Sequence, residues 1–275
     1  MKVNSNGFNN LKLRGLIIPI VLTLICSILT YELLSGPISD VLSTYIMYAL
    51  ILLWIFYKFR KTNIDYHKII GKRPKKYEMR EIITVTVFII LLGIGNAATL
   101  FYIILYFNLS FLMGFLNQST FYTGLNSFYY NTLIFLVIVI FGPIIEELLC
   151  RGIILHRLAV KWGLTVSIIL SSLLFGILHL DLIGSFIFGL MMAIIYIKTQ
   201  TLWAPIICHI LNNFIVSILD FIIGNDLSSA STYLWISIIC LAISTPYITF
   251  YLYKNWPKNG WKTHIISNIV IQQKN

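Results

Sequence analysis

The stretch FGPIIEELLCRGIILHRL, residues 141 to 158, decides how this chain is read. Its apolar residues continue a run that begins near residue 131, long enough for a membrane span, yet Glu146, Glu147 and Arg151 sit within it. An ionisable group near the middle of a bilayer costs about 3 kcal/mol or more, so it normally faces the interior of a helix bundle and carries function. On a helix, residues four apart are neighbours, whereas adjacent residues diverge by about 100°. Glu147 therefore pairs with Arg151 on its own helix, and Glu146, with no partner at i+3 or i+4, is left to meet another helix or a water. Three residues upstream, Pro143 removes a backbone donor and crowds the carbonyl of Val139, with Gly142 adding freedom. A kink that opens space beside Glu146 is the expectation. Taken alone, the same residues also suit a buried salt bridge that only fixes helix register.

The surroundings of that stretch set the fold class. The chain is 58% hydrophobic and 11% charged, with a mean hydropathy of +0.86, whereas a soluble globular protein is about 25% charged. Apolar runs of membrane-spanning length fall near 15–34, 41–57, 82–107, 131–155, 164–180, 183–198, 202–223 and 234–253. The reading is all-α: a polytopic transmembrane helical bundle of about eight spans. The pair 164–180 and 183–198 is short and separated only by "DLI", which predicts a tight hairpin or a partly re-entrant segment. Three regions follow: 1–130 with three spans and a basic loop at 58–80, a core at 131–223, and 224–275 with the last span and a basic tail. No internal repeat suggests a transporter's inverted symmetry.

Charge orients the bundle. The net charge of +10 is concentrated in KFRKTNIDYHKIIGKRPKKYEMR, residues 58 to 80, which predicts a cytoplasmic loop close to anionic lipid. Between two apolar spans, that basic run gives no reason to invoke nucleic acid. Lys12, Arg14, Arg157, Lys161, Lys198, Lys254, Lys258 and Lys262 fall on the same side, and the intervening loops 108–130 and 224–233 contain no Lys or Arg. Both termini are thus expected in the cytoplasm of a cell-membrane protein, with the first apolar run an uncleaved helix. Cys26, Cys150, Cys208 and Cys240 lie in apolar stretches without CxxC spacing and read as small buried hydrophobes.

Two further motifs carry polar groups into the membrane. In FGILH, Phe175 and His179 are four apart near the end of the fifth span; in HILNN, His209 and Asn213 project together from the seventh. Each alone is as readily a hydrogen-bonded packing pair. Together with Glu146 they supply a general base, a second proton carrier or metal ligand, and donors for an oxyanion, which is an inventory for hydrolysing an amide with water.

These residues resemble the CAAX-protease and bacteriocin-processing (CPBP, or Abi) family of intramembrane proteases. Its EExxxR pattern matches Glu146, Glu147 and Arg151, its FxxxH matches Phe175 and His179, and its HxxxN matches His209 and Asn213. The resemblance covers about residues 131 to 223 and implies an intramembrane endopeptidase. On that resemblance Glu146 is the base, His179 holds and polarises the water, and His209 with Asn213 form the oxyanion site; Glu147, Arg151 and Phe175 support them. Bacterial relatives are associated with bacteriocin self-immunity and peptide-pheromone maturation. Residue usage here suits an AT-rich bacterial genome, so a short secreted or membrane peptide is favoured over a prenylated CAAX protein as substrate.

Cofactor use stays open at this point. Glu146, His179 and His209 would supply a carboxylate and two imidazoles to Zn²⁺, but no HExxH helix is present and the metal-free reading is favoured. Two other functions compete: a non-catalytic membrane protein that binds and regulates a partner, and a proton- or ion-coupled transporter. The intact set of polar residues argues against the first, and the lack of repeat symmetry against the second. One geometric tension remains. At 1.5 Å per residue, His209 lies about 10 Å inside the cytoplasmic edge of its span and His179 about 22 Å from the start of its own.

Overall fold

The computed structural model describes residues 6–34, 37–110, 128–179, 181–223 and 230–257. Among these, helices dominate and no strand occurs. Eight apolar helices build the molecule: α1 (Ile17–Leu33), α2 (Pro37–Lys61), α3 (Lys76–Tyr106), α4 (Phe128–Trp162), α5 (Leu164–Ile177), α6 (Leu182–Thr199), α7 (Trp203–Ile223) and α8 (Ala230–Asn255). This is the expected polytopic bundle. Six of the eight are long and apolar enough to cross a bilayer, while α5 and the Trp203–Leu219 stretch of α7 are shorter apolar segments. Residues 111–127 and 224–229 of the two loops without Lys or Arg, and Lys258 and Lys262 of the tail, lie outside the described residues.

Burial follows from which helices are apolar all round. The α6 helix is the axis of the bundle: Met191, Met192, Ala193, Ile194, Ile195, Tyr196 and Ile197 are all buried, as expected of a helix with no polar face. Its partner in the chain, α5, folds back on it as the predicted hairpin. The backbones approach closely where Gly189 faces Ser172, since a Cβ on Gly189 would fall 2.9 Å from the Ser172 Cα. At the turn, Asp181 caps α6 by accepting a hydrogen bond from the Gly184 N–H at 2.9 Å, the role open to an aspartate before a helix. The α8 helix packs along α3, where the Phe88 and Tyr247 rings stack at 3.8 Å and Thr99 meets Ser237 at 2.6 Å. The α1 helix leans on α2 and turns Ile18, Leu24 and Ile28 outward, as lipid contact requires.

Where the sequence predicts a span at 131–155, the helix runs unbroken from Phe128 to Trp162. Pro143 does not end or interrupt it. The turn before the proline widens into a π-helix over Val137–Phe141, and a second π-helix follows at Cys150–Ile154. In the first, the Gly142 N–H reaches back to the Val137 carbonyl. The Ile138 carbonyl then has no helical donor, because the next residue able to serve it in that register is Pro143, which has no N–H. The EELL stretch, 146–149, is thus bracketed by two wide turns, and Cys150 and Arg151 open the second.

The basic segment is folded onto the bundle. Asp65 caps a short helix, Tyr66–Ile70, and the Ile70 carbonyl then accepts from the Leu202 N–H at 2.9 Å and the Thr201 hydroxyl at 2.8 Å. This contact ties the segment to the α6–α7 turn. Ahead of α1, Phe8 is buried and stacks on His156 at 4.9 Å, and the His156 Nε2 meets the Tyr196 hydroxyl at 2.7 Å. The four cysteines are free; Cys150 and Cys208 are buried, and Cys26 and Cys240 partly so.

Candidate active site

The site grows from α4. Glu147 and Arg151 are 0% and 1% exposed and their Oε1 and Nη1 are 2.8 Å apart, the pairing that the i, i+4 spacing predicts. Arg151 also donates from Nη2 to the Gly189 carbonyl at 2.9 Å and lies 5.1 Å from the centre of the Phe175 ring. The guanidinium thereby fastens α4 to α6 and α5. Phe175 stacks on Phe188 at 5.6 Å and meets the His209 ring edge-on at 5.8 Å. It is the apolar wall against which the polar groups are set.

Glu147 does more than hold the arginine. Its Oε1 also accepts from His209 Nδ1 at 3.0 Å. An ionised carboxylate only accepts, so this contact places the proton on Nδ1 and leaves Nε2 as the variable nitrogen. That Nε2 lies 3.9 Å from Glu146 Oε2. The spacing is too long for a direct hydrogen bond and suits one oxygen touching both atoms. With His209 as an imidazolium, the four groups Glu146, Glu147, Arg151 and His209 sum to neutrality, and Nε2 becomes a donor aimed toward Glu146.

Glu146 points away from the Glu147–Arg151 pair, as expected, and its side chain keeps 25% of its surface exposed. Its other oxygen, Oε1, accepts from the Tyr48 hydroxyl of α2 at 2.6 Å. Glu146 and His179 do not pair directly: no ion-pairing contact joins the two. His179 sits just past the end of α5, stacked on Phe175 at 4.4 Å, with Nδ1 2.7 Å from the Phe175 carbonyl. A carbonyl accepts only, so His179 carries its proton on Nδ1 and presents a basic Nε2.

Asn213 answers the gap left by Pro143. Its Nδ2 donates to the Ile138 carbonyl at 2.9 Å, and its Oδ1 accepts from Asn212 Nδ2 at 3.1 Å. One amide N–H is therefore committed to the π-helical turn, and one remains for a ligand. His179, His209, Asn212 and Asn213 line one cleft of about 180 Å³, with Phe175, Phe188 and Asp181. Glu146 is not in that lining and is reached through His209.

The contact of Phe175 with His209 brings the end of α5 beside α7, and α5 ends at Ile177 rather than near 180. Among the described residues, no three His, Cys, Asp or Glu side chains group as metal ligands. Glu146, His179 and His209 are brought to one region but do not stand together as a coordination set. Tyr48 is the site residue that the sequence does not reveal; a tyrosine within an apolar span carries no spacing signal toward a glutamate 98 positions away.

Residues 128–215 match the family model described as type II CAAX prenyl endopeptidase Rce1-like. Over 91 residues the chain is 35% identical to the Bacillus subtilis (strain 168) protein named "Putative membrane peptidase YdiL", covering 32% of this chain and 37% of that protein. The match thus spans little more than a third of that relative's length. No solved structure matches. All of Glu146, Glu147, Arg151, Phe175, His179, His209 and Asn213 fall inside the matched residues, and Tyr48 falls outside them. With its three motifs in order on α4, α5 and α7 of a polytopic bundle, this part of the chain is similar to the type II CAAX prenyl endopeptidase Rce1-like family.

Proposed function

We propose that the protein is an intramembrane endopeptidase that hydrolyses a peptide bond in a membrane-associated peptide or protein tail, without a metal, in bacteriocin self-immunity or peptide-pheromone processing. The observation that carries this reading is the convergence of His179, His209 and Asn213 on one cleft, with Glu146 Oε2 3.9 Å behind His209 Nε2. The match to a membrane peptidase supports it.

In the proposed reaction Glu146 Oε2 takes a proton from water as the water oxygen bonds to the scissile carbonyl carbon. The carbonyl oxygen becomes an oxyanion that accepts from His209 Nε2–H and the free Asn213 N–H. His179, basic at Nε2, accepts the second hydrogen of the water and fixes its direction. Collapse breaks the C–N bond, and the proton held by Glu146 passes to the leaving amine. Glu147 accepts from His209 Nδ1–H, so that in the imidazolium form Nε2–H is the donor that faces the reaction.

Comparing membrane-associated peptides by mass spectrometry tests the reading, using cells that carry wild type, Glu146→Gln or His179→Ala. Each variant should insert normally and process at least 10²-fold more slowly, so that one precursor accumulates in both. The wild-type rate should also withstand the chelator 1,10-phenanthroline. Full processing by both variants would reject the catalytic assignment, and loss of the rate on chelation would reject the metal-free one.

A further inference from the structure

The base of this site is held from outside the matched domain. Tyr48 lies midway along α2, outside residues 128–215 that the family model matches, and its hydroxyl donates to Glu146 Oε1 at 2.6 Å. The surrounding sequence makes room for that contact. Gly142 stands where a Cβ would fall 3.0 Å from the Tyr48 oxygen and 3.4 Å from its Cζ, so a side chain there would displace the phenol. One turn away on α2, Tyr45 donates to the Leu133 carbonyl at 3.0 Å and packs edge-on to Phe141 at 5.9 Å. The two tyrosines, three apart on one helical face, set α2 against both sides of the π-helical turn.

We propose that Tyr48 is a positioning residue that selects which oxygen of Glu146 acts as the base. A carboxylate on a flexible side chain exchanges its two oxygens freely. With Oε1 engaged by the phenol, Oε2 is the oxygen directed at His209 Nε2. The proton from water therefore goes to Oε2, and Oε1 keeps its hydrogen bond throughout. A hydrogen bond to a charged group in a water-poor setting is among the stronger ones. This assignment rests on the reading of Glu146 as the base. It also gives the N-terminal helices a part in the site beyond enclosing it.

The decisive variant is Tyr48→Phe, which removes one oxygen and leaves the ring. Infrared difference spectra of the full-length protein in lipid nanodiscs need no substrate. Tyr48→Phe should shift a carboxylate band, and the same substitution in a Glu146→Gln background should not. For the peptide that accumulates in Glu146→Gln membranes, Tyr48→Phe should lower kcat about ten-fold or more with KM little changed. Glu146→Asp withdraws the carboxylate by one methylene, out of reach of the phenol, so adding Tyr48→Phe to it should cost no further activity. Tyr45→Phe serves as the comparison, and any effect it has should be the same in both backgrounds. A carboxylate spectrum unmoved by Tyr48→Phe, or an equal loss of kcat with Glu and Asp at 146, would overturn the assignment. Full activity of Glu146→Gln would instead overturn the base itself, which separates the two failures.

Discussion

Adjacent glutamates on a helix look redundant until their partners are named. Glu147 serves Arg151 and His209 through one oxygen, and Glu146 serves Tyr48 and, across 3.9 Å, His209. Removing one member of a buried ion pair leaves an uncompensated charge and costs about 3–5 kcal/mol. Arg151→Met should therefore lower the unfolding temperature in detergent sharply, and the paired change Glu147→Gln with Arg151→Met should recover much of it. Activity should part from stability here: the double variant still lacks the carboxylate that orients His209, so it should stay slow after its stability returns. A double variant as fast as wild type would mean that Glu147 is structural only. Much of this was legible in the sequence, because i, i+4 geometry is local. The link from Glu147 to His209 and that from Tyr48 to Glu146 were not, since each joins residues 62 or 98 positions apart and depends on how whole helices settle.

The same division holds for the helices. Length and hydropathy placed all eight, and "DLI" marked the α5–α6 hairpin correctly. Pro143 pointed to a kink; the chain takes up the missing donor in a π-helical turn, itself a common site of kinks, and lets Asn213 cap the freed Ile138 carbonyl. Residue pattern alone does not distinguish these outcomes, because both begin from the same lost N–H and the second needs a donor from another helix. The hairpin allows a sharper test. At Gly189 a Cβ would meet the Ser172 Cα at 2.9 Å, and backbone cannot give way as a side-chain end can. Gly189→Ala should destabilise the protein by about 1–3 kcal/mol as overpacking does, and it should also displace the carbonyl that Arg151 grips. At Gly152 the nearest atoms, on Ile69 and Leu202, stand at 3.4 and 3.5 Å, an ordinary contact. Gly152→Ala should be neutral or slightly stabilising, since alanine is the better helix former. Thermal unfolding of both in detergent checks the contrast; equal effects would mean that the α5–α6 spacing is not set by Gly189.

The molecule as a whole must also face the right way, and charge decides this where length cannot. The α3 helix has 31 residues, about 46 Å at 1.5 Å per residue, more than the roughly 30 Å hydrocarbon core, so its two ends lie on opposite sides. Before it stands the basic segment 58–80, and after it residues 108–110 begin a loop without Lys or Arg. Positive loops stay in the cytoplasm, which predicts Lys72 on the inside and Ser110 on the outside. The same assignment starts α5 beside Lys161 at the inner face. With 14 residues, α5 covers about 21 Å, less than the core, so a start at the inner face predicts that His179 lies inside the membrane rather than at its far surface. The check uses a protein with its four cysteines replaced by alanine and a single cysteine at Lys72→Cys or Ser110→Cys, both exposed positions. A membrane-impermeant maleimide should label Ser110→Cys in intact cells and reach Lys72→Cys only after permeabilisation. The opposite pattern would invert the bundle and place the start of α5 at the outer face. Labelling of both in intact cells would mean that α3 does not cross, and with it would fall the depth assigned to the cleft.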